Sequence, residues 1–124
     1  MRVVLALSLL LAAAPLRAEW LKVGETDAAV HYIDAATIRR DGNLRRVWTV
    51  QDMRDTDPAG VRSIRALEEY DCLTERFRYL SLTAHSAPMA GGEVVAAHIL
   101  DDNWTARPPG TKPSAIEKIV CAPI

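Results

Sequence analysis

The sequence predicts an α+β fold in which short strands form an antiparallel sheet and one helix follows at the C-terminal end. Most of the chain consists of short segments in which apolar and polar residues alternate, and this period of two is typical of strands with one covered face. Turn-forming residues, such as the Asp41-Gly42 pair, separate these segments. Only the stretch 108–121 has the apolar spacing of an amphipathic helix.

The first 18 residues have the pattern of a secretory signal peptide. Arg2 provides a positive start, residues 3–14 form an apolar run, and the small Ala18 ends the segment where cleavage is expected. The run is too short to cross a hydrocarbon layer of about 30 Å. A buried N-terminal helix of the core is the alternative. We therefore expect a mature chain of residues 19–124 that forms a single domain.

The expected signal segment has no cysteine after its apolar run, so the cleavage pattern of bacterial lipoproteins is missing. We therefore expect a periplasmic or secreted protein without a transmembrane segment. Without Arg2 and Arg17, the 15 basic residues become 13 against 16 acidic residues, and the net charge is about −3. Because nucleic-acid-binding proteins carry a basic excess, this balance argues against a nucleic-acid partner.

The chain has two cysteines, Cys72 and Cys121. In an oxidising compartment they allow one intramolecular pairing, and we predict that disulfide. Closing a loop of about 50 residues would remove roughly 4 kcal/mol of conformational freedom from the unfolded chain. Two free thiols or a metal site are the alternatives. Neither is favoured, because the sequence has no CxxC motif and its histidines lack the usual zinc-ligand spacing.

Two hairpins are predicted in the first half of the mature chain. Residues 19–24 and 29–34 form the first, because both are short, rich in β-forming residues and separated by a polar turn. Asp34 then caps a single helical turn, and the second hairpin reverses at Asp41-Gly42, a pair that tolerates positive φ. The following strand is expected to place three residues on one face: Leu44, Trp48 and Val50.

Three strands and the helix complete the predicted sheet. Residues 61–72 and 75–84 alternate and are joined by a short turn, and a third strand at 93–100 follows a loop. That loop contains Pro88, Gly91 and Gly92, and residues 101–110 are expected to be irregular. In the helix, Thr111 or Ser114 is the predicted cap. Its apolar stripe consists of Ile116, Ile119 and Val120, and Cys121 at its end would fasten it to the sheet.

Several segments carry a family resemblance, in the order "EWLKVG", "YIDAATIRRDGNLRRVW", "SIRALEEYDC", "RFRYLSLT", "W" at Trp104, "PPGT" and "IVC". The most specific are the spaced "D…G…VW", the "EYDC" and the helix that ends in cysteine. Together they resemble the surface-adhesin protein E family of bacterial envelope proteins over nearly the whole mature chain. The resemblance implies an antiparallel sheet of about six strands with one C-terminal helix tethered by a disulfide, and it allows a homodimer.

The resemblance also implies an exported, non-enzymatic domain that binds proteins of the host matrix or the envelope. The adhesin of this family is a surface lipoprotein, whereas this chain has no lipidation cysteine, so we expect a periplasmic or released protein. Two other classes remain as alternatives. One is a periplasmic inhibitor of a cell-wall hydrolase such as lysozyme; the other, with the least support, is an enzyme.

No motif for catalysis, metal binding or cofactor binding stands out in the sequence. His31, His85 and His98 are scattered and lack the HxH and HExxH spacings of metal sites. No serine lies in a GxSxG elbow. We therefore predict no catalytic residues, no metal and no cofactor.

Two candidate binding features remain in the sequence. The turn at Asp41-Gly42 is flanked by arginines, whose forked donors match sulfate, phosphate and carboxylate groups; they are Arg39, Arg40, Arg45 and Arg46. A solvated hairpin is the favoured alternative, because alternation puts Arg45 and Arg46 on opposite faces. Trp48 and Trp104 are expected in the core, with an exposed aromatic patch as the alternative.

Overall fold

The computed structural model describes residues 19–99, 103–106 and 112–123. In these ranges the chain forms β1 (Trp20–Glu25), β2 (Ala29–Asp34), β3 (Arg39–Asp41), β4 (Leu44–Met53), β5 (Ser63–Asp71), β6 (Arg76–Ala87), β7 (Gly91–Ile99), β8 (Thr105–Ala106) and α1 (Lys112–Val120). The predicted signal segment, parts of the predicted irregular tract and the predicted cap Thr111 lie outside the described residues.

The described strands form one antiparallel sheet. Six of them lie in the order β1-β2-β4-β5-β6-β7, with the short β3 paired to β4 and the two-residue β8 paired to β6. Every pairing between neighbours is antiparallel. The predicted α+β fold, with six main strands and one C-terminal helix, is therefore confirmed.

Both predicted turn signals act as expected. The backbone N–H of Ala36 donates to the Asp34 carboxylate (3.2 Å), so Asp34 caps a short 3₁₀ turn at Ala35–Thr37. Gly42 has a φ of +56°, in the left-handed region that glycine enters at little cost. These two turns bring β3 alongside the first residues of β4.

Three boundaries differ from the prediction. Gly91 and Gly92 lie inside β7, because the chain reverses earlier, in a 3₁₀ turn at Pro88–Ala90. Ser114 is an internal residue of α1 and not its cap, because the helix begins at Lys112 and Pro113 is tolerated in a first turn. The tract expected to be irregular contains β8, which pairs with the start of β6.

The helix packs across one face of the sheet, which we call the helix face. Ile116 and Val120, one helical turn apart, are buried together with four sheet residues: Ile33, Val47, Tyr70 and Phe77. Burial of each aliphatic side chain contributes about 1.5–3 kcal/mol. Ile119 was expected in the same stripe but is 39% exposed, because the contact follows the i, i+4 line through Ile116 and Val120 only.

The predicted disulfide between Cys72 and Cys121 is confirmed. The two sulfurs are 2.06 Å apart, and the bond joins residues 49 positions apart in the chain. One cysteine directly follows β5 and the other directly follows α1. Because a nine-residue helix does not persist alone in water, the disulfide and the apolar contacts hold it on the sheet together.

The opposite surface of the sheet, which we call the outer face, carries Trp48, Arg65 and Glu69. Leu44, Trp48 and Val50 share this face, as their spacing requires. The main core nevertheless lies on the helix face, where the intervening Val47 contacts the helix cluster. Trp48 is therefore half-buried on the outer face instead of lying in that core.

Candidate functional site

The sheet divides the four arginines of the predicted basic tip between its two faces. Arg39 pairs with Arg46, and Arg40 pairs with Arg45, in the β3–β4 register. Cross-strand partners point to the same face and successive residues to opposite faces. Arg39 and Arg46 therefore lie on the outer face, and Arg40 and Arg45 lie on the helix face.

The two arginines of the helix face have different surroundings. Arg45 Nη1 donates to the carbonyl oxygens of Gly42 (2.7 Å) and Leu44 (2.9 Å), which braces the hairpin turn. Arg40 contributes to a shallow cavity of about 440 Å³ beside the end of α1. The other residues that line this cavity are Ile38, Ile119, Val120, Ala122 and Pro123.

The two arginines of the outer face belong to a charged row that crosses four strands. Arg39 lies opposite Arg46, Arg46 opposite Glu69, and Glu69 opposite Arg78. We call these four residues the outer row. Neighbouring strands are about 4.8 Å apart, so the row extends about 14 Å from β3 to β6.

Glu69 is the buried centre of the outer row. Its carboxylate, 1% exposed, accepts from Arg46 Nε at 2.6 Å and from Arg78 Nε at 2.8 Å. Burial by itself would raise the pKa of Glu69, but the hydrogen bonds from the two guanidinium groups outweigh it and hold the pKa below its usual value. The carboxylate therefore stays charged and fixes the orientation of both arginines.

Two tryptophans lie under guanidinium groups of the outer face. The Arg65 guanidinium is 3.7 Å from the centre of the Trp48 ring, and that of Arg78 is 4.4 Å from the centre of the Trp104 ring. Both rings are half-buried. Each stack is a cation–π contact, which rigidifies the arginine and leaves part of the ring accessible.

Arg39 and Arg46 retain unused donors toward solvent. Arg46 binds Glu69 through Nε, and within the described ranges no partner contacts its Nη groups. Arg39 uses Nη1 for the carbonyl oxygens of Ala36 and Ile38, both at 3.3 Å. A cavity of about 210 Å³ lies against this pair, and Arg40, Asp41 and Leu44 complete its lining.

The free edge of β7 is a second candidate surface. Residues 94–97, "VVAA", carry no charge, and Val94 and Val95 are 58% and 43% exposed. β6 pairs with one side of β7, and no strand of the described chain pairs with the other side. The edge therefore offers backbone donors and acceptors to an added strand.

The opposite edge of the sheet is better protected. β1 carries an ion pair between Lys22 and Glu25 (2.9 Å), and Arg54 also binds Glu25. Register shifts do not distinguish the two edges, since β1–β2 has one between Lys22 and Gly24 and β6–β7 has two near His85. Charges of this kind discourage strand addition, so the uncharged residues 94–97 of β7 are the more receptive edge.

The histidines do not converge on one site. His31 lines a cavity of about 240 Å³ with Lys112, and burial together with the positive charge of Lys112 lowers its pKa. Burial and the nearby Arg65 lower the pKa of His85, which lies on β6. Within residues 19–99, 103–106 and 112–123, no three His, Cys, Asp or Glu side chains lie close enough to hold a metal ion.

Sequence reasoning missed a buried polar cluster under the helix. Glu68 is fully buried, and Tyr70 donates to its Oε1 at 2.9 Å. Lys112 Nζ lies 3.9 Å from Glu68 Oε2 and donates to the Tyr79 hydroxyl at 3.4 Å. The sequence contains one signal for this cluster: Glu68 alternates in phase with Ala66 and Tyr70, so it is expected on the same face of the sheet as they are.

Comparisons with known proteins relate this chain to one family. A model of the family described as surface-adhesin protein E matches residues 20–122. No curated protein sequence matches the chain. Among its described residues, no helix combines the length and apolar character needed to cross a membrane.

Solved structures of Haemophilus influenzae protein E share this fold. Crystal form II of that protein superposes with a TM-score of 0.63 at 15% sequence identity, over 86% of this chain and 90% of that one. The structure of protein E from non-typeable Haemophilus influenzae superposes with a TM-score of 0.62 at 16% identity, over 86% of this chain and 78% of that one. At such identities the similarity concerns the fold.

Proposed function

This chain belongs to the surface-adhesin protein E family, and we propose that it is an exported binding domain, without catalytic activity, that captures a partner protein by strand addition at β7. The observation that carries the proposal is the uncharged, exposed edge at residues 94–97. In strand addition, an extended segment of the partner pairs with the edge through its backbone, and alternate side chains supply selectivity.

The chemistry of the β7 edge defines the partner segment. Val94 and Val95 are both exposed, and they lie where the β6–β7 register shifts, with Val94 opposite His85 and Ala96 opposite Ala84. Apolar side chains of the added strand would contact these valines. Each backbone hydrogen bond contributes about 1 kcal/mol net. Three or four such bonds, with the valine contacts, suit a segment of host matrix or envelope protein. A second copy of this chain can pair there too and would give a homodimer.

Export is the second part of the proposal. Residues 1–18 have the pattern of a signal peptide, and the Cys72–Cys121 disulfide suits an oxidising compartment. Together they support a periplasmic or secreted mature domain of residues 19–124. The charge balance of that domain supports a protein partner and not a nucleic acid.

Lysine substitutions on the two edges of the sheet test strand addition. The oxidised domain is applied to immobilised matrix extract and to envelope extract, and bound protein is quantified. Val94→Lys/Val95→Lys should reduce binding about tenfold or more, because losing one or two backbone hydrogen bonds and their apolar contacts exceeds 1.4 kcal/mol.

Leu21→Lys is the matched control, since Leu21 is a 47% exposed apolar residue on the opposite edge. This variant should bind as the unmodified protein does. Equal binding by all three proteins would refute the assignment to β7, and absence of binding to both extracts would refute the proposed function itself. Light scattering of the same variants shows whether a homodimer uses the same edge.

A further inference from the structure

We infer that the outer row is a binding site for sulfated polysaccharide, anchored where Arg39 and Arg46 meet. This site is separate from the β7 edge and goes beyond the proposed protein partner. It rests on the division of the arginines between faces, on the buried Glu69 and on the cavity beside β3.

Arg39 and Arg46 form a clamp that suits an oxyanion. Like charges directly opposite on neighbouring strands repel each other, so this pair destabilises the free hairpin and favours a bound counter-anion. The cavity of about 210 Å³ beside the pair has room for a sulfate group, and its three lining arginines outnumber its one carboxylate, Asp41. Charge-assisted bonds from guanidinium to such an oxyanion are roughly twice as strong as neutral hydrogen bonds.

Glu69 positions the arginines before any ligand arrives. Burying a carboxylate costs free energy, and here two guanidinium groups offset that cost while losing their own freedom. Arg46 is held through Nε, which leaves the donors of its Nη groups available to a ligand. A side chain that is already ordered loses less entropy when it binds.

The surroundings of the clamp favour a linear glycan over a bilayer. Two hairpin turns lie at this end of the sheet and carry carboxylates, Asp41 at the β3–β4 turn and Asp71 and Glu75 at the β5–β6 turn. A broad anionic membrane would have to approach these carboxylates together with the clamp. A linear chain can instead lie across the strands, from Arg39 and Arg46 toward Arg78. Beyond Arg78, the half-exposed Trp104 ring offers a flat apolar surface for a sugar ring.

Two double variants with the same charge change test the site. Binding of a size-defined heparin oligosaccharide to the oxidised full domain is measured by titration calorimetry. Arg39→Gln/Arg46→Gln should weaken binding about tenfold or more, since it removes charge-assisted hydrogen bonds. Arg45→Gln/Arg54→Gln should weaken it less than about threefold, because neither side chain lines the cavity and both contribute only through distant charge. Arg45 lies on the helix face, and Arg54 bonds Glu25 and the Thr26 carbonyl oxygen beyond the far end of β4.

The single variant Arg39→Gln keeps the test valid if loss of Arg46 unfolds the domain. Within the part of the chain that the structure describes, the Arg39 side chain bonds to two carbonyl oxygens, so its replacement should leave the melting temperature unchanged and still reduce heparin affinity severalfold. Equal weakening by both double variants, or no weakening by the outer pair, would overturn the inference. Binding to anionic vesicles but not to heparin would overturn it too.

The two proposals fail separately. Excess free heparin in the matrix assay removes any contribution of the outer row, so the effect of the β7 variants then reports strand addition alone. Loss of heparin binding leaves the β7 proposal intact, and loss of matrix binding under excess heparin leaves the outer row intact.

Discussion

Removal of the disulfide tests how the helix is held on the sheet. The variant is Cys72→Ser/Cys121→Ser, which breaks a bond that closes 49 residues of chain. In the chain-entropy relation, a loop of this length corresponds to about 4 kcal/mol at 25 °C. A small domain has a total unfolding free energy of about 5–15 kcal/mol, so the loss is a large part of it.

The expected loss is partial, because apolar contacts also hold the helix. Ile116 and Val120 remain buried against Tyr70 and Phe77 without the bond, and each contributes about 1.5–3 kcal/mol. The variant should therefore still fold, with an unfolding free energy in urea reduced by about 3–4 kcal/mol. A reduction below about 1 kcal/mol would refute the entropic reasoning. If the unfolding free energy falls by so little and protease cleaves the helix no faster than in the unmodified protein, the sheet holds the helix by burial alone.

Two further predictions concern the two faces of the sheet. Ile116→Ala should lower the unfolding free energy in urea by about 2–5 kcal/mol, because it opens a cavity in a fully buried contact. Ile119→Ala, at an exposed position of the same helix, should lower it by less than about 1 kcal/mol. Similar losses for both variants would contradict the packing. Glu69→Gln should cost about 2 kcal/mol, less than a fully buried ion pair because Arg46 is 53% exposed. Since the pKa of Glu69 is lower in the fold than its ordinary 4.5, its contribution is complete above pH 4.5 and is lost as the pH falls further. Urea titrations from neutral pH downward should therefore show a shallower acid loss for Glu69→Gln, and parallel profiles would contradict the role of the carboxylate.

The sheet, its turns and the disulfide could be predicted because their signals are local. Alternation identifies strands, Asp41-Gly42 identifies a turn, and two cysteines allow one pairing. The spacing of Ile116 and Val120 also predicts the helix. The same spacing places Ile119 in the buried stripe, whereas Ile119 is exposed in the structure. The width of a buried stripe depends on how the helix lies on the sheet, which local spacing does not contain.

The outer row could not be predicted because it depends on the register of four strands. The sequence places Arg39 and Arg46 near one turn, but only the pairing of β4 with β5 and β6 brings Glu69 and Arg78 to them. Alternation did indicate that Arg45 and Arg46 point to opposite faces. It could not show that one pair braces the turn while the other keeps free donors.

The receptiveness of β7 also depends on the whole sheet. The sequence predicts a strand that contains Val94 and Val95, but apolar spacing does not indicate whether that strand lies at the edge or in the middle of the sheet. The strand order places β7 at one edge and the charged β1 at the other. Topology, and not composition, therefore distinguishes the two.

Amide hydrogen exchange along β7, in the free domain and in the domain bound to matrix protein under excess heparin, tests strand addition most directly. In the free domain the outward amides of residues 94–97 should exchange quickly, since no strand of the described chain covers them. Bound partner should slow these amides at least tenfold and leave the outward amides of β1 unchanged. Equal exchange along β7 in both states, at saturating partner, would contradict the account.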